Sequence, residues 1–209
     1  MSLNKNDFIE IDFTARIKDG PIFDSTKKEE LEKIGFKKET KPFIFALNQG
    51  MFLNSIDEFL ENKEIGKYKI SLAPEKAFGK RDPKQIQMIP LKFFKEHRLS
   101  PIPGNSFNFD GRIGKVLTLS GGRVLVDFNS PLSGKDVEYE IEIKRKVEDL
   151  KEQVDAVNDF FFRKKLDFEL NENKVILLFE KQLKPLGELF KKKYEEILKK
   201  EIEIKEKAE

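Results

Sequence analysis

The run Phe8-Ile9-Glu10-Ile11-Asp12-Phe13-Thr14-Ala15-Arg16-Ile17, continued by Lys18-Asp19-Gly20-Pro21 and then Ile22-Phe23-Asp24-Ser25-Thr26, decides the fold. Apolar Ile9, Ile11, Phe13, Ala15 and Ile17 alternate with Glu10, Asp12, Thr14 and Arg16. A period of two puts one set on each face of a half-buried strand. Asp19-Gly20-Pro21 then turns the chain, and Ile22–Thr26 returns in extended form. Working outward, a short helix is expected around Lys28–Ile34, ended by Gly35. Phe43–Leu47 reads as a strand. Ser55–Asn62 reads as a helix with Ile56, Phe59 and Leu60 on one face. Tyr68–Leu72 is a further strand, and Val137–Ile143 alternates as cleanly as the first one.

Two segments differ from this pattern. Between Lys84 and Val126 stand Pro90, Pro101, Pro103 and five glycines, with seven Lys/Arg against two acids. Phe107–Asp110, Gly114–Leu119 and Arg123–Phe128 look like short strands joined by tight turns, Ser120-Gly121-Gly122 among them. From Val147 onward helical spacing takes over at Val147, Leu150, Val154, Val157 and Phe161. An apolar strand at Val175–Phe179 follows, then a helix from Pro185 with a stripe of Leu186, Leu189, Phe190, Tyr194, Ile197 and Leu198. A last short strand is expected at Ile202 and Ile204. A segment this small and this apolar is marginal alone, so it is expected to bury surface against a second copy of the chain.

Composition removes whole classes of chemistry. The 209 residues include no cysteine and a single histidine, His97, so thiol catalysis, disulfides and multi-His metal sites are excluded. His97 itself is read as a solvated loop residue. Forty Lys/Arg against thirty-eight Asp/Glu leave a net charge of +2, which argues against a general polyanion binder. No apolar run is long enough to span a bilayer, and the first residues lack the apolar core of a signal peptide, so a cytoplasmic protein is expected. Twenty phenylalanines remain as the main resource for recognition.

Four segments in order resemble the FKBP-type peptidyl-prolyl isomerases. They are Asp19–Thr26, Phe52–Leu60, Pro74-Glu75-Lys76-Ala77-Phe78-Gly79, and the closing strand around Tyr139. Arg81-Asp82-Pro83, Asp110–Val116, Gly121–Asn129 and Pro131–Lys135 resemble the SlyD-like branch, which carries an insert-in-flap domain. The tail after Val147 is similar to the C-terminal domain of long-chain archaeal FKBPs. The resemblance implies an α+β protein: an FKBP-type antiparallel half-barrel wrapping a short helix, an inserted small β-barrel domain and a C-terminal α/β domain. Its boundaries would be 1–83 plus 128–146 for the isomerase, 84–127 for the insert and 147–209 for a helix–hairpin–helix domain suited to dimerisation.

The same resemblance implies an active site. Phe23, Asp24, Phe78 and Tyr139 are its expected catalytic residues, with Phe13, Phe52, Leu53 and Ile56 around the bound proline. The Leu53 amide would hold a substrate carbonyl. In the insert, Ile89, Phe93 and Phe94 are expected to contact unfolded chains, among a larger apolar set that includes Ile86, Met88, Leu91, Leu99 and Ile102. No cofactor, metal, membrane or nucleic acid is expected, and the partners would be unfolded or proline-containing polypeptides. The chain departs from the family where Tyr is common at Phe13 and Phe78, where Trp is frequent at Ile56, and where the SlyD-like branch often has His in place of Ser130. The His-rich, metal-binding tail of SlyD is missing.

Such chemistry suits this composition. Turning an Xaa-Pro bond opposes amide resonance, a barrier of about 18–20 kcal/mol for a peptide bond, without breaking any bond. A thousandfold acceleration needs only about 4 kcal/mol of preference for the twisted amide. Two other readings stay open at this point: a holdase with a vestigial pocket, and a ribosome- or RNA-associated factor built on the basic segment 84–126.

Overall fold

The computed structural model describes residues 2–35, 40–171 and 173–207. Their elements are, in chain order, β1 (Phe8–Ile17), β2 (Ile22–Ser25), α1 (Lys28–Lys33), β3 (Phe43–Ala46), α2 (Asn54–Leu60), β4 (Gly66–Leu72), β5 (Ile86–Pro90), α3 (Leu91–Glu96), β6 (Ser106–Phe109), β7 (Arg112–Ser120), β8 (Arg123–Asp127), β9 (Val137–Lys146), α4 (Leu150–Phe162), β10 (Asp167–Leu170), β11 (Lys174–Phe179), α5 (Lys184–Leu198) and β12 (Glu201–Glu206). They fall into two compact units. One holds the residues up to Ser71 together with those from Glu138 onward, and the other is Leu72–Val137.

In the first unit a five-stranded sheet runs β2-β1-β9-β4, with β3 also paired to β1. The ten residues of β1 serve two partners on one side. Phe8–Ile11 pair with β3, and Thr14–Arg16 pair with β2 across a register shift at Ala15/Arg16. The alternation seen in the sequence becomes burial: Ile9, Ile11 and Ala15 face the core with Phe45, Leu47, Ile56, Leu60, Ile141 and Ile143. The C-terminal elements belong to the same unit. There β11 is the centre of a three-stranded sheet, antiparallel to β10 and parallel to β12. The parallel pair is connected through α5, as such pairs require.

Local chemistry explains where these helices begin and end. Asp149 caps α4 by accepting from the Glu152 amide at 2.9 Å, and α4 stops at Arg163, which turns left-handed at φ 50°. Pro185 sits in the first turn of α5, where a missing N–H costs nothing. Arg145 of β9 joins the two parts of the unit. Its guanidinium donates to Glu10 of β1 at 2.8 Å and, in a two-pronged contact at 2.9 and 2.7 Å, to Glu152 of α4.

The second unit is built on a four-stranded antiparallel sheet ordered β5-β8-β7-β6, whose pairing among the described residues does not close on itself. Phe94, Val116, Val124 and Val126 are its buried centre, with Ile89, Leu91, Phe93, Leu99, Phe107, Phe109 and Phe128 packed around them. Gly114 is required by this packing, since a Cβ there would lie 2.6 Å from Val126 and 2.8 Å from Phe128. Arg81 pairs with Asp127 at the foot of the sheet, and Asn129 donates to the carbonyl of Asp82 at 3.0 Å.

Candidate active site

Phe13 lies near the end of the buried run of β1, and Tyr139 lies on the neighbouring strand β9. Their rings stand 6.1 Å apart. Phe23 of β2 meets Tyr139 edge-on at 6.0 Å. Phe52, just before α2, is the hub: its ring is 5.3 Å from Phe13, 5.9 Å from Tyr139, 5.3 Å from Phe43 and 5.4 Å from Phe45. These tilted and edge-on pairs suit the aromatic quadrupole. Phe13 and Tyr139 are buried while Phe23 and Phe52 are half-buried, so the cluster presents one open side. Ile56, expected beside the bound proline, is fully buried in the first turn of α2, so it can only support the site from beneath. Half-buried Leu53 caps that helix, its carbonyl accepting from the amides of Ile56 (2.8 Å) and Asp57 (3.0 Å).

The polar part of the site comes from β2. Asp24 is exposed opposite Ala15, and its negative charge reaches Tyr139. Burial, with Asp24 adding to it, pushes the Tyr139 phenol well above its ordinary value of 10.0. Tyr139 therefore stays an O–H donor throughout the physiological range. Two hydroxyls next to Asp24 hold the hairpin in register. Thr26 Oγ1 accepts from the Phe13 amide at 2.9 Å, and Ser25 Oγ donates to the Phe13 carbonyl at 2.9 Å. Thr14 and Ser25 hydroxyls bond at 3.0 Å beneath them.

Phe78, Ile89, Phe93 and Phe94 belong to the second unit. Phe78 is half-buried, and its carbonyl accepts from the Ser133 hydroxyl at 3.2 Å. Ile89 and Phe93 are partly buried against the unit's core. Phe94 corrects the sequence expectation: it is wholly buried among Val116, Val124 and Val126, so it has no surface to offer a bound chain. No group of His, Asp and Glu suited to a metal ion occurs among the described residues. None of their helices is long and apolar enough to cross a membrane.

Known proteins resemble this chain in sequence. A short-type peptidyl-prolyl cis-trans isomerase of Methanocaldococcus jannaschii is 27% identical over 146 residues, covering 68% of this chain and 92% of that protein. The FKBP-type 16 kDa peptidyl-prolyl cis-trans isomerase of Escherichia coli is 27% identical over 148 residues, again 68% of this chain and 92% of the relative. The FKBP-type isomerase SlyD of Haemophilus influenzae is 24% identical over 148 residues, 68% of this chain and 72% of that one. Over about two thirds of its length the chain is thus similar to FKBP-type peptidyl-prolyl isomerases. Residues 87–132 match the family described as FKBP26, IF domain. The crystal structure of the three FKBP domains of wheat FKBP73 aligns over 71% of this chain and 42% of its own length, at 17% identity and a TM-score of 0.38.

Four residues of this aromatic site were not singled out from the sequence. Phe43 and Phe45 of β3 stack at 5.1 Å and extend the aromatic cluster behind Phe52. Their signal was the Phe-Ile-Phe spacing, which places both on one face, but a core strand carries the same signal. Ser25 and Thr26 were visible only as members of the Phe-Asp-Ser-Thr turn. Nothing in their residue type announces that both hydroxyls would hold the backbone of Phe13.

Proposed function

We propose that the chain catalyses cis/trans isomerisation of Xaa-Pro bonds in polypeptides, with the proline ring seated among Phe13, Phe23, Phe52 and Tyr139. The supporting observation is the half-open aromatic cluster with one carboxylate, Asp24, at its edge. An apolar seat removes water from the planar amide and so withdraws hydrogen bonds that favour its resonance form. The Tyr139 hydroxyl, kept protonated, is suited to donate to a substrate carbonyl. Asp24 supplies the one charge near the amide as its dipole changes during rotation. Ile56, wholly buried, supports the floor of this seat from beneath, and the Leu53 amide is assigned to a second substrate carbonyl. The relatives' activity and the lack of any need for a nucleophile agree with this reading.

The second unit is assigned the capture of unfolded segments, as an insert-in-flap domain of the SlyD-like kind. Exposed Met88, Ile102, Ile113 and Leu119 support that role. The tail is assigned to pairing with a second copy, for which Leu189, 74% exposed on α5 beside Leu186, is the support. A monomer by sedimentation at working concentration would end the pairing idea.

The deciding experiment follows proline-limited refolding of a denatured protein, and isomerisation of a short prolyl peptide, with the intact chain, Asp24→Ala, and a chain lacking 84–127. Acceleration of both substrates by the intact chain, weakened by Asp24→Ala, with refolding alone lost when 84–127 is removed, is the expected result. Suppressed aggregation without acceleration of either substrate would overturn the isomerase reading in favour of a holdase.

A further inference from the structure

The register of the second unit sorts its strand residues onto two faces. Val116, Val124 and Val126 point to the side covered by α3 through Phe94. Met88, Ile113, Lys115, Arg123, Leu125 and Asp127 share the opposite side. On that outer face Met88 is 59% and Ile113 60% exposed, while Leu125 is half-buried between the neighbouring strands. The face thus carries apolar Met88 and Leu125 on one cross-strand row, Arg123 to one side of it, and Ile113 beyond the row of Lys115 and Asp127.

The charge of this face is one-sided. Its carboxylate, Asp127, is engaged by Arg81 and by the Asn129 side chain at 2.7 Å. Lys115 and Arg123 are exposed and, among the described residues, have no carboxylate within ion-pair distance. The whole unit repeats the bias: Leu72–Val137 carries eleven Lys/Arg against six Asp/Glu, whereas the rest of the chain has twenty-nine against thirty-two.

We infer that the outer face of this sheet selects unfolded segments in which apolar residues are interspersed with Asp and Glu, and rejects equally apolar segments carrying Lys or Arg. The inference rests on the reading of the second unit as the client-binding part and adds the class of client. Apolar burial on Met88, Ile113 and Leu125 supplies attraction without regard to sequence. A segment lying there passes within reach of Lys115 and Arg123, where an acidic residue is attracted and a basic one meets two uncompensated cations. RNA fits less well, because single strands need exposed aromatic platforms. The aromatic rings Phe93, Phe94, Phe107, Phe109 and Phe128 pack against the core on the other side.

The test uses the full chain and three fluorescein-labelled peptides with identical apolar residues and Glu, Ser or Lys at the intervening positions. Affinity is read by anisotropy. At about 0.05 M salt the Glu peptide should bind about tenfold more tightly than the Lys peptide, with the Ser peptide between them. At about 0.3 M salt the ratio should fall to about twofold. Lys115→Glu with Arg123→Glu, both at exposed positions, should reverse the order. Equal affinities for the three peptides, or a preference that ignores the double reversal, would overturn the charge selection while leaving client binding standing. Failure of all three to bind would remove the client-binding reading and this inference with it. Tighter binding of oligouridylate than of the Glu peptide would overturn the inference in favour of RNA.

Discussion

Asp57 sits on α2 beside the pocket floor, one residue after Ile56, and only 1% of its surface is exposed. Neither carboxylate oxygen makes a well-formed hydrogen bond among the described residues, the Asn48 backbone amide being its one weak polar neighbour. Burial pushes the carboxyl up from 3.8 to about 6; the Asn48 backbone amide opposes this, and the Glu58 charge adds to it. The sign of the consequence is fixed by linkage. Below the unfolded value both states are protonated and no penalty exists. As pH rises from 3.8 toward about 6, the unfolded chain releases its proton first, so folding stability falls. Above that range both states are ionised and the full penalty remains. The gap, at about 1.4 kcal/mol per pH unit, amounts to about 3 kcal/mol.

Replacing Asp57 with Asn removes the ionisation and keeps the shape. The amide is still a buried polar group, so part of the gain is forfeited, and Asp57→Asn should be more stable than the parent by about 1–3 kcal/mol at neutral pH. The advantage should shrink on acidification and vanish near the unfolded value. Urea unfolding followed by circular dichroism across this pH range measures both, provided the transition carrying α2 is resolved from that of the second unit. A variant less stable than the parent at neutral pH, or a difference that does not change with pH, would refute the account of Asp57 as an unpaired buried acid.

Three further outcomes follow from the packing. Phe52→Leu should cost about tenfold in kcat/KM for a short prolyl peptide and Phe52→Ala about a hundredfold, because the hub ring touches four others; unchanged rates in a protease-free peptide assay would place catalysis elsewhere. Gly187→Ala should destabilise the chain by about 1–3 kcal/mol despite the better helix propensity of alanine, since its Cβ would stand 2.7 Å from the Phe179 ring; a raised melting temperature would contradict this. Tyr194→Phe removes the 2.6 Å donor to the buried Asn158 carbonyl oxygen and should cost about 1–3 kcal/mol, much of it recovered when Asn158→Leu is added; denaturant unfolding of both variants would show a strict sum of losses if the pair were uncoupled.

The parts of this fold legible from sequence are those in which one physical rule acts over a short span. Strict alternation marked β1 and β9, and Asp19-Gly20-Pro21 marked the hairpin between β1 and β2. The α5–β12 end was marked by helical spacing followed by Ile202 and Ile204. What stayed hidden depends on partners distant in the chain. Phe94 within α3 and Phe52 just before α2 are the same residue type, yet one is sealed in the second unit's core and the other is half-buried in the aromatic cluster. Only the pairing of β8 with β5 and β7, which brings Val124 and Val126 against Phe94, decides the first case. Asp57 was equally hidden, because a helical Asp followed by Glu58 reads as a solvated face until the Asn48 loop closes over it.

The aromatic site itself shows why residue type alone could not separate core from pocket. The register sets Ile9 opposite Phe45 and Ile11 opposite Phe43, and Phe13 extends the same row of β1 beyond the last pair. Along that row burial weakens on the β3 side: Phe45 is fully buried, while Phe43 and Phe52 are half-buried. The stacked contact of Phe43 on Phe45 makes the pocket wall continuous with the core. A side chain held on one side by close packing is restricted in its rotamers before any ligand arrives, so little ordering cost remains when a proline ring docks. The same Phe residues thus serve cohesion inside and recognition at the rim. What distinguishes the two is the short stretch of β2 and the residue after it, where Ser25 and Thr26 fix the Phe13 backbone and the charge of Asp24 acts on Tyr139.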